Sequence, residues 1–351
     1  MAGVAQAWNT AQPSATTWEA LRDALEVDAT LGAYVRPGTW GDAGPIRIFP
    51  DESDFGALQT QLSLWAELAS PLIVDADPAE LTPRVVELLI HPQLLAIAQD
   101  PRGMLGAPLN PPLQPSAFSK PLQAAGSRAV LLLNPMDTPS LVEASWADLG
   151  IAPNPSVVRD VWDQRALPVA ESGLSELLAT FGARLLEVSG EELPPAQGDV
   201  YLSDLPFSYA ANSFGPVERD TSNGEIPRGD GRRINLNGVG FDRGLGVHTG
   251  SDVRIRLGTA CGEFAASIGL DAECVDSERA ARFFVFGDGA LLYQSPRFRD
   301  DSAPASIRVD VSGRDELRLF VSSAGELPLN DFSCGHAAWA EARVTCLAPA
   351  P

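Results

Sequence analysis

The chain has 351 residues, and 45% of them are apolar, the proportion of an ordinary globular protein with room for about two or three domains. Twenty-five basic against 46 acidic side chains give a formal charge of -21, which repels phosphate backbones and anionic lipid heads, so neither nucleic acid nor a membrane is an expected partner. No run approaches the ~20 apolar residues of a membrane helix, and the opening MAGVAQAWNTAQPS lacks the basic start and apolar core of a secretory signal.

The first hundred residues alternate helical and short apolar segments. Thr17 is placed to cap a helix carrying Trp18, Leu21, Ala24 and Leu25. Asp54 to Ala69 repeats Phe55, Leu58, Leu62, Leu64, Trp65 and Leu68 at helical spacing. PLIVDAD then reads as a short buried strand, and Thr82-Pro83 opens a third helix, since proline is tolerated in a first turn. This order is an α/β pattern with parallel strands. From about Arg102, AVLLLNP and VVRDVW are short β-type runs between Gly, Pro, Asn and Asp, the texture of a small antiparallel sandwich. GEELPPAQGD is a hinge, and beyond it DVRIRLG, FAASIGLD, ARFFVFGDG, SIRVDVSG and ELRLFVSS recur at the spacing of an all-β sandwich.

All four cysteines, Cys261, Cys274, Cys334 and Cys346, fall in this last region. An even number there favours disulfides, with buried free thiols as the other reading. With no Cys-x-x-Cys and with His91, His248 and His336 scattered, neither zinc nor a redox pair is expected. No cofactor is called. A calcium site around Asp271 and Asp276 stands against the reading of these as solvated acidic loops.

An ordered series of motifs closes the chain: YLSDLPF, GPVERDTSNGE, LNGVGFDRGLGVHTGSDV, VFGDGALLYQS, VDVSGRDELRLFV and HAAWAEARVTC. GLGVH puts glycines where a strand meets a loop, and GDG is a tight turn between strands. Over residues 198–348 this resembles the NPCBM module, carbohydrate-binding module family 51. The resemblance implies a jelly-roll-like β-sandwich that binds galactose-type or related sugars through loops at one edge. Sugar sites combine an aromatic face with a few placed polar groups, which singles out His248, Trp339, Asn212 and Asp220. Each has a structural reading beside it: a core tryptophan for Trp339, a loop-fixing hydrogen bond for His248, turn residues for Asn212 and Asp220. Where the family commonly has Asp-His-Ala-Asp-Trp, this chain has Gly335, His336, Ala337, Ala338 and Trp339, so two carboxylates are missing. The family pattern implies a Cys261–Cys346 pair, leaving Cys274 for Cys334.

TWGDAG, the run LSLWAELASPLIVDADPAELTPRVVELLIHPQLLAIAQDPRG, and KPLQAAGSRAVLLLNPMDTP with VVRDVWDQRAL resemble the C-terminal half of a glycoside hydrolase family 27 α-galactosidase. The resemblance implies a multidomain α/β plus all-β chain: the last part of a (β/α)8 barrel over 1–101, an antiparallel β-sandwich over 102–190, and the module above. It also implies an extracellular setting. Retaining glycosidases need two carboxyl groups about 5 Å apart. The segment for the nucleophile has no counterpart in this sequence, and the spacing of Trp8 and Trp18 puts Asn9 at the family's Arg and Pro13 at its acid/base Asp. Proline transfers no proton. Asp42 matches an acidic position able to touch substrate, and equally a strand-end cap. A partial barrel would leave strand edges and the apolar faces of Leu62, Trp65, Leu72 and Ile73 exposed. The expectation is a carbohydrate-binding protein derived from an α-galactosidase-like hydrolase, inactive as this chain, with galactose-containing glycans as partners. The alternative is an active α-galactosidase completed by an upstream segment.

Overall fold

The computed structural model describes residues 7–9, 21, 25, 31–32, 34–48, 55–110, 114–224, 227–273, 280–323 and 334–347. It divides into two compact units, Met1–Glu191 and Glu192–Pro351.

In the first unit β1 (Ala7–Asn9) and β2 (Trp40–Asp42) pair in parallel, with Asn9 opposite Asp42. Helix α1 (Phe55–Glu67) is buried nearly all round; among its polar side chains, Gln61 Oε1 accepts from Arg47 N at 3.1 Å and Ser63 Oγ from Trp162 Nε1 at 2.9 Å. Helices α2 (Pro83–Leu89) and α3 (Pro92–Ala98) each begin on proline behind a side-chain cap, Thr82 accepting from Val85 N and His91 from Leu94 N. PLIVDAD is not a buried strand. It makes one isolated parallel bridge, Ile46 to Val74, and Ile73 is 53% exposed, because its backbone finds a partner at a single point and on one side. Leu62 and Trp65, expected to lie open, are buried at 0% and 2% exposure in a core shared with Ile46, Leu94 and Leu131. The sandwich partner, not the helical layer alone, covers them. The cap expected at Thr17 lies outside the described residues.

The strands that follow are β3 (Ala107–Pro108), β4 (Ser116–Pro121), β5 (Ser127–Leu133), β6 (Ser140–Ser145), β7 (Val157–Asp160), β8 (Arg165–Ala166), β9 (Gly173–Leu178) and β10 (Ala183–Ser189). A six-stranded antiparallel sheet, β3-β4-β5-β10-β7-β8, faces the pair β6-β9. The unbroken apolar run of β5 has a physical cause, burial on both faces. Ala129, Leu131 and Leu133 face the helical core, whereas Val130 and Leu132 pack on Val142, Ala144 and Trp146. Each leucine so buried stabilises by roughly 1.5–3 kcal/mol.

The second unit is all β: β11 (Gly198–Tyr201), β12 (Tyr209–Ala211), β13 (Glu218–Arg219), β14 (Ile234–Leu236), β15 (Val239–Phe241), β16 (Gly244–His248), β17 (Ser251–Arg256), β18 (Cys261–Leu270), β19 (Ala281–Gly287), β20 (Ala290–Gln294), β21 (Ala305–Asp310), β22 (Glu316–Ser323) and β23 (His336–Cys346). One sheet runs β13-β16-β23-β18-β21, the other β12-β17-β22-β19-β20. Strict alternation in β22 and β19 sends Leu317, Leu319, Val321, Phe283 and Val285 into the core between the sheets. A disulfide joins Cys261 to Cys346, the residues that face each other at the start of β18 and the end of β23. Cys334 is disulfide-bonded as well, and Cys274 lies outside the described residues.

Candidate functional site

The loop end of the second unit is built on two asparagines. Asn212 donates through Nδ2 to the carbonyls of Phe214 (2.7 Å) and Pro216 (3.1 Å), and its Oδ1 accepts from His248 N at 2.8 Å. Asn223, fully buried, donates to the same two carbonyls, each at 3.1 Å. The turn 213–216 is thereby clamped from both sides. Segment 221–223 passes directly over Gly246, where a Cβ would stand 2.4 Å from Thr221 O, so this glycine in GLGVH serves close backbone approach.

His248 is 1% exposed. Its Nε2 accepts from Gly335 N at 2.9 Å, which places the ring proton on Nδ1, 2.8 Å from Ser213 Oγ and 3.1 Å from Thr249 O. Thr249 N donates in turn to Gly335 O at 2.8 Å. The ring therefore ties three loop segments together. His336 faces His248 across β16 and β23 and bonds Asn223 O through Nδ1. Phe214 lies half-buried over both imidazoles, with ring centroids 5.7 Å from His248 and 6.4 Å from His336.

Of the four expected sugar contacts, the fold brings together only Asn212 and His248. Trp339 is fully buried in the sandwich core, edge-on to Phe264 and Phe283 at 6.0 and 5.0 Å. Asp220 sits at the Gly244 end of β16, about 13 Å from His248 by strand rise. There its Oδ1 accepts from Gly244 N at 3.0 Å and stands 3.3 Å from Arg243 Nε, and its φ of 63° marks a turn. Asn223, Phe214 and His336 are what residue-by-residue reading passed over; a lone aromatic in NSFGP, outside any alternating pattern, was the available signal.

Asp271 is 1% exposed, and its carboxylate accepts from Asn235 N and Glu273 N, each at 2.9 Å. Burial pushes its pKa up, and those two bonds pull the other way. Asp276 lies outside the described residues, among which no cluster of three or more His, Cys, Asp or Glu is spaced for a metal. In the first unit Asp42 accepts from Gly44 N at 2.9 Å through Oδ1. Asn9 is its backbone neighbour across the parallel pair, and Pro13 lies outside the described residues.

Residues 198–345 match the NPCBM/NEW2 domain model, and residues 114–188 match the alpha galactosidase C-terminal beta sandwich domain. The chain joins an α-galactosidase-type C-terminal part to an NPCBM domain. It is similar to a "Putative endo-alpha-N-acetylgalactosaminidase" of Renibacterium salmoninarum, 38% identical over 44% of this chain and 10% of that protein. It is also similar to alpha-galactosidase 3 of Arabidopsis thaliana, 28% identical over 49% of this chain and 40% of that protein. Among solved structures, the CBM51 of a Clostridium perfringens GH95 protein in complex with methyl-galactose is 27% identical over 42% of this chain and 99% of that one, with a TM-score of 0.37. The chain spans less than half of either curated relative.

Proposed function

We propose that this protein binds galactose-containing or related glycans through the loop end of its NPCBM domain, and that by itself it hydrolyses no α-galactoside. The match of residues 198–345 to the NPCBM/NEW2 model carries the first part. Asn212, Asn223 and His248 are the frame on which Phe214 presents its ring to the apolar face of a sugar, with Thr249 beside it. Pro13 at the acid/base position carries the second part, because a proline side chain has no proton to give. The division is 1–101 as the last part of a (β/α)8 barrel, 102–190 as the α-galactosidase sandwich and 198–348 as the sugar-binding sandwich, working outside the cell, where disulfides persist.

Calorimetric titration and thermal unfolding of the whole chain with galactose test the binding. A ligand at about 100 times its Kd stabilises by ~2.7 kcal/mol, so a saturable rise in the unfolding temperature is expected. No heat and no rise, with galactose and lactose alike, would leave an interaction sandwich without sugar. Release of nitrophenol from a nitrophenyl α-galactoside would overturn the claim of silence. The pairing of Asn9 with Asp42 on parallel strands supports a second reading, hydrolysis once an upstream segment completes the barrel. Activity that appears only on adding that segment would decide for it.

A further inference from the structure

The NPCBM domain has a second concave surface, away from its loop end. β20 ends one sheet and β21 ends the other, and a cleft of about 400 Å³ opens between these two edges. That volume falls within the ~300–1,000 Å³ of ligand clefts. Leu292 and Tyr293 come from β20, Arg308 and Asp310 from β21, and Ser312 and Arg314 from the turn that follows.

Leu292 and Tyr293 are partly buried against the sandwich core, so the apolar wall is fixed in place. The Tyr293 hydroxyl has no hydrogen-bond partner among the described residues, and burial raises its pKa, keeping it a donor. Arg308 pairs with Glu263, and Arg314 stands 4.0 Å from Asp288; the two guanidinium side chains are 69% and 37% exposed. Exposed pairs of this kind hold by at most about 1 kcal/mol, so their N–H groups are available to a ligand. Asp310 is aimed by Ser312 N, which donates to its Oδ1 at 2.9 Å.

Donors from two guanidiniums and a phenol, acceptor oxygens from one carboxylate, and an apolar Leu–Tyr wall suit one chemistry. Sugar hydroxyls both donate and accept, and a pyranose ring offers a C–H face. An anion would meet Asp310, and a purely apolar ligand would strand both arginines. We propose that this cleft is a second glycan site, taking a neutral pyranose. It is separate from the loop end: β22 starts at Glu316, beside the Arg314 turn, and reaches the loop end at Val321, whose carbonyl accepts from Gly250 N. Five residues of strand put the two places about 17 Å apart.

Amide shifts of the isotope-labelled whole chain, titrated separately with methyl β-galactoside, methyl β-glucoside and N-acetylglucosamine, test the assignment. Expected are saturable shifts at 291–294 and 308–314 with at least one probe. Tyr293→Ala and the exposed Asp310→Asn should each weaken that set by about tenfold or more, while shifts at 213–215 and 248–249 stay unchanged. Silence at 291–294 and 308–314 with all three sugars would overturn the proposal, as would shifts that survive both substitutions in folded protein. Shifts at the cleft without any at the loop end would sink the loop-end reading and leave this one standing.

Discussion

At the scale of single residues, the loop end turns on Gly335. A Cβ there would stand 2.3 Å from His248 Cε1 and 2.3 Å from Thr249 Oγ1. Gly335→Ala should therefore push the ring from its socket and cost about 1–3 kcal/mol in urea unfolding. An alanine variant as stable as the parent would show that His248 does not hold this position. GLGVH made His248 a candidate for either contact or brace, and nothing local could choose, because its partner lies 87 residues further along the chain. Asn223 was hidden for a different reason: its partners lie only 9 and 7 residues earlier, and the motif order alone does not fold that turn onto it. A second test belongs to Glu67 and Lys120, both fully buried. Burial lifts the Glu67 carboxyl to about 8, against the attraction of Lys120, and lowers the Lys120 ammonium to about 8, against Glu67 and Asp100. Below the ordinary carboxylate value of 4.5 the Glu67 contribution is fully present, and it is lost as pH rises to about 8. The Lys120 contribution is full above 10.5 and is lost as pH falls to about 8. The pair is thus weakest near pH 8. Urea midpoints measured against pH should show the slope between 5 and 8 flattened in Glu67→Gln, and an unchanged slope would refute the assignment.

At the scale of elements, what could be read depended on whether the burial pattern was local. The alternation of β19 and β22 and the capped start at Thr82 are properties of a few neighbouring residues, and the chain spells them out. PLIVDAD misled for the opposite reason: an apolar run reports a wish for burial, and only the pairing geometry decides whether a second strand is there to grant it. The bridge from β18 to β23 closes a loop of 85 residues. Tying such distant points restricts the unfolded chain, and its loss typically costs 2–5 kcal/mol. Cys261→Ala with Cys346→Ala should lower the urea midpoint of the NPCBM domain accordingly. If the double variant unfolds where the parent does, the bond contributes nothing to stability.

At the scale of the molecule, one buried lysine adds a polar tie to the apolar cores of the first unit. Lys120, on β4, donates through Nζ to Ala66 O at 2.7 Å and to Ile97 O at 2.9 Å, the closing carbonyls of α1 and α3. A strand of the sandwich thus reaches two helix ends at once, and Lys120→Met would take the ammonium donor from both carbonyls, leaving the longer backbone bonds from Ala69 N (3.3 Å) and Asp100 N (3.4 Å), and remove the charge that attracts the Glu67 carboxyl, a loss of about 1–3 kcal/mol by urea unfolding. Neither helix has a basic residue in its own last turn to do this work. The consequence concerns how this unit breathes. Opening either helix exposes the lysine, and opening β4 strips both helices, so the amides of α1, α3 and β4 share one excursion and trade their protons for deuterium together, as a single clock rather than three.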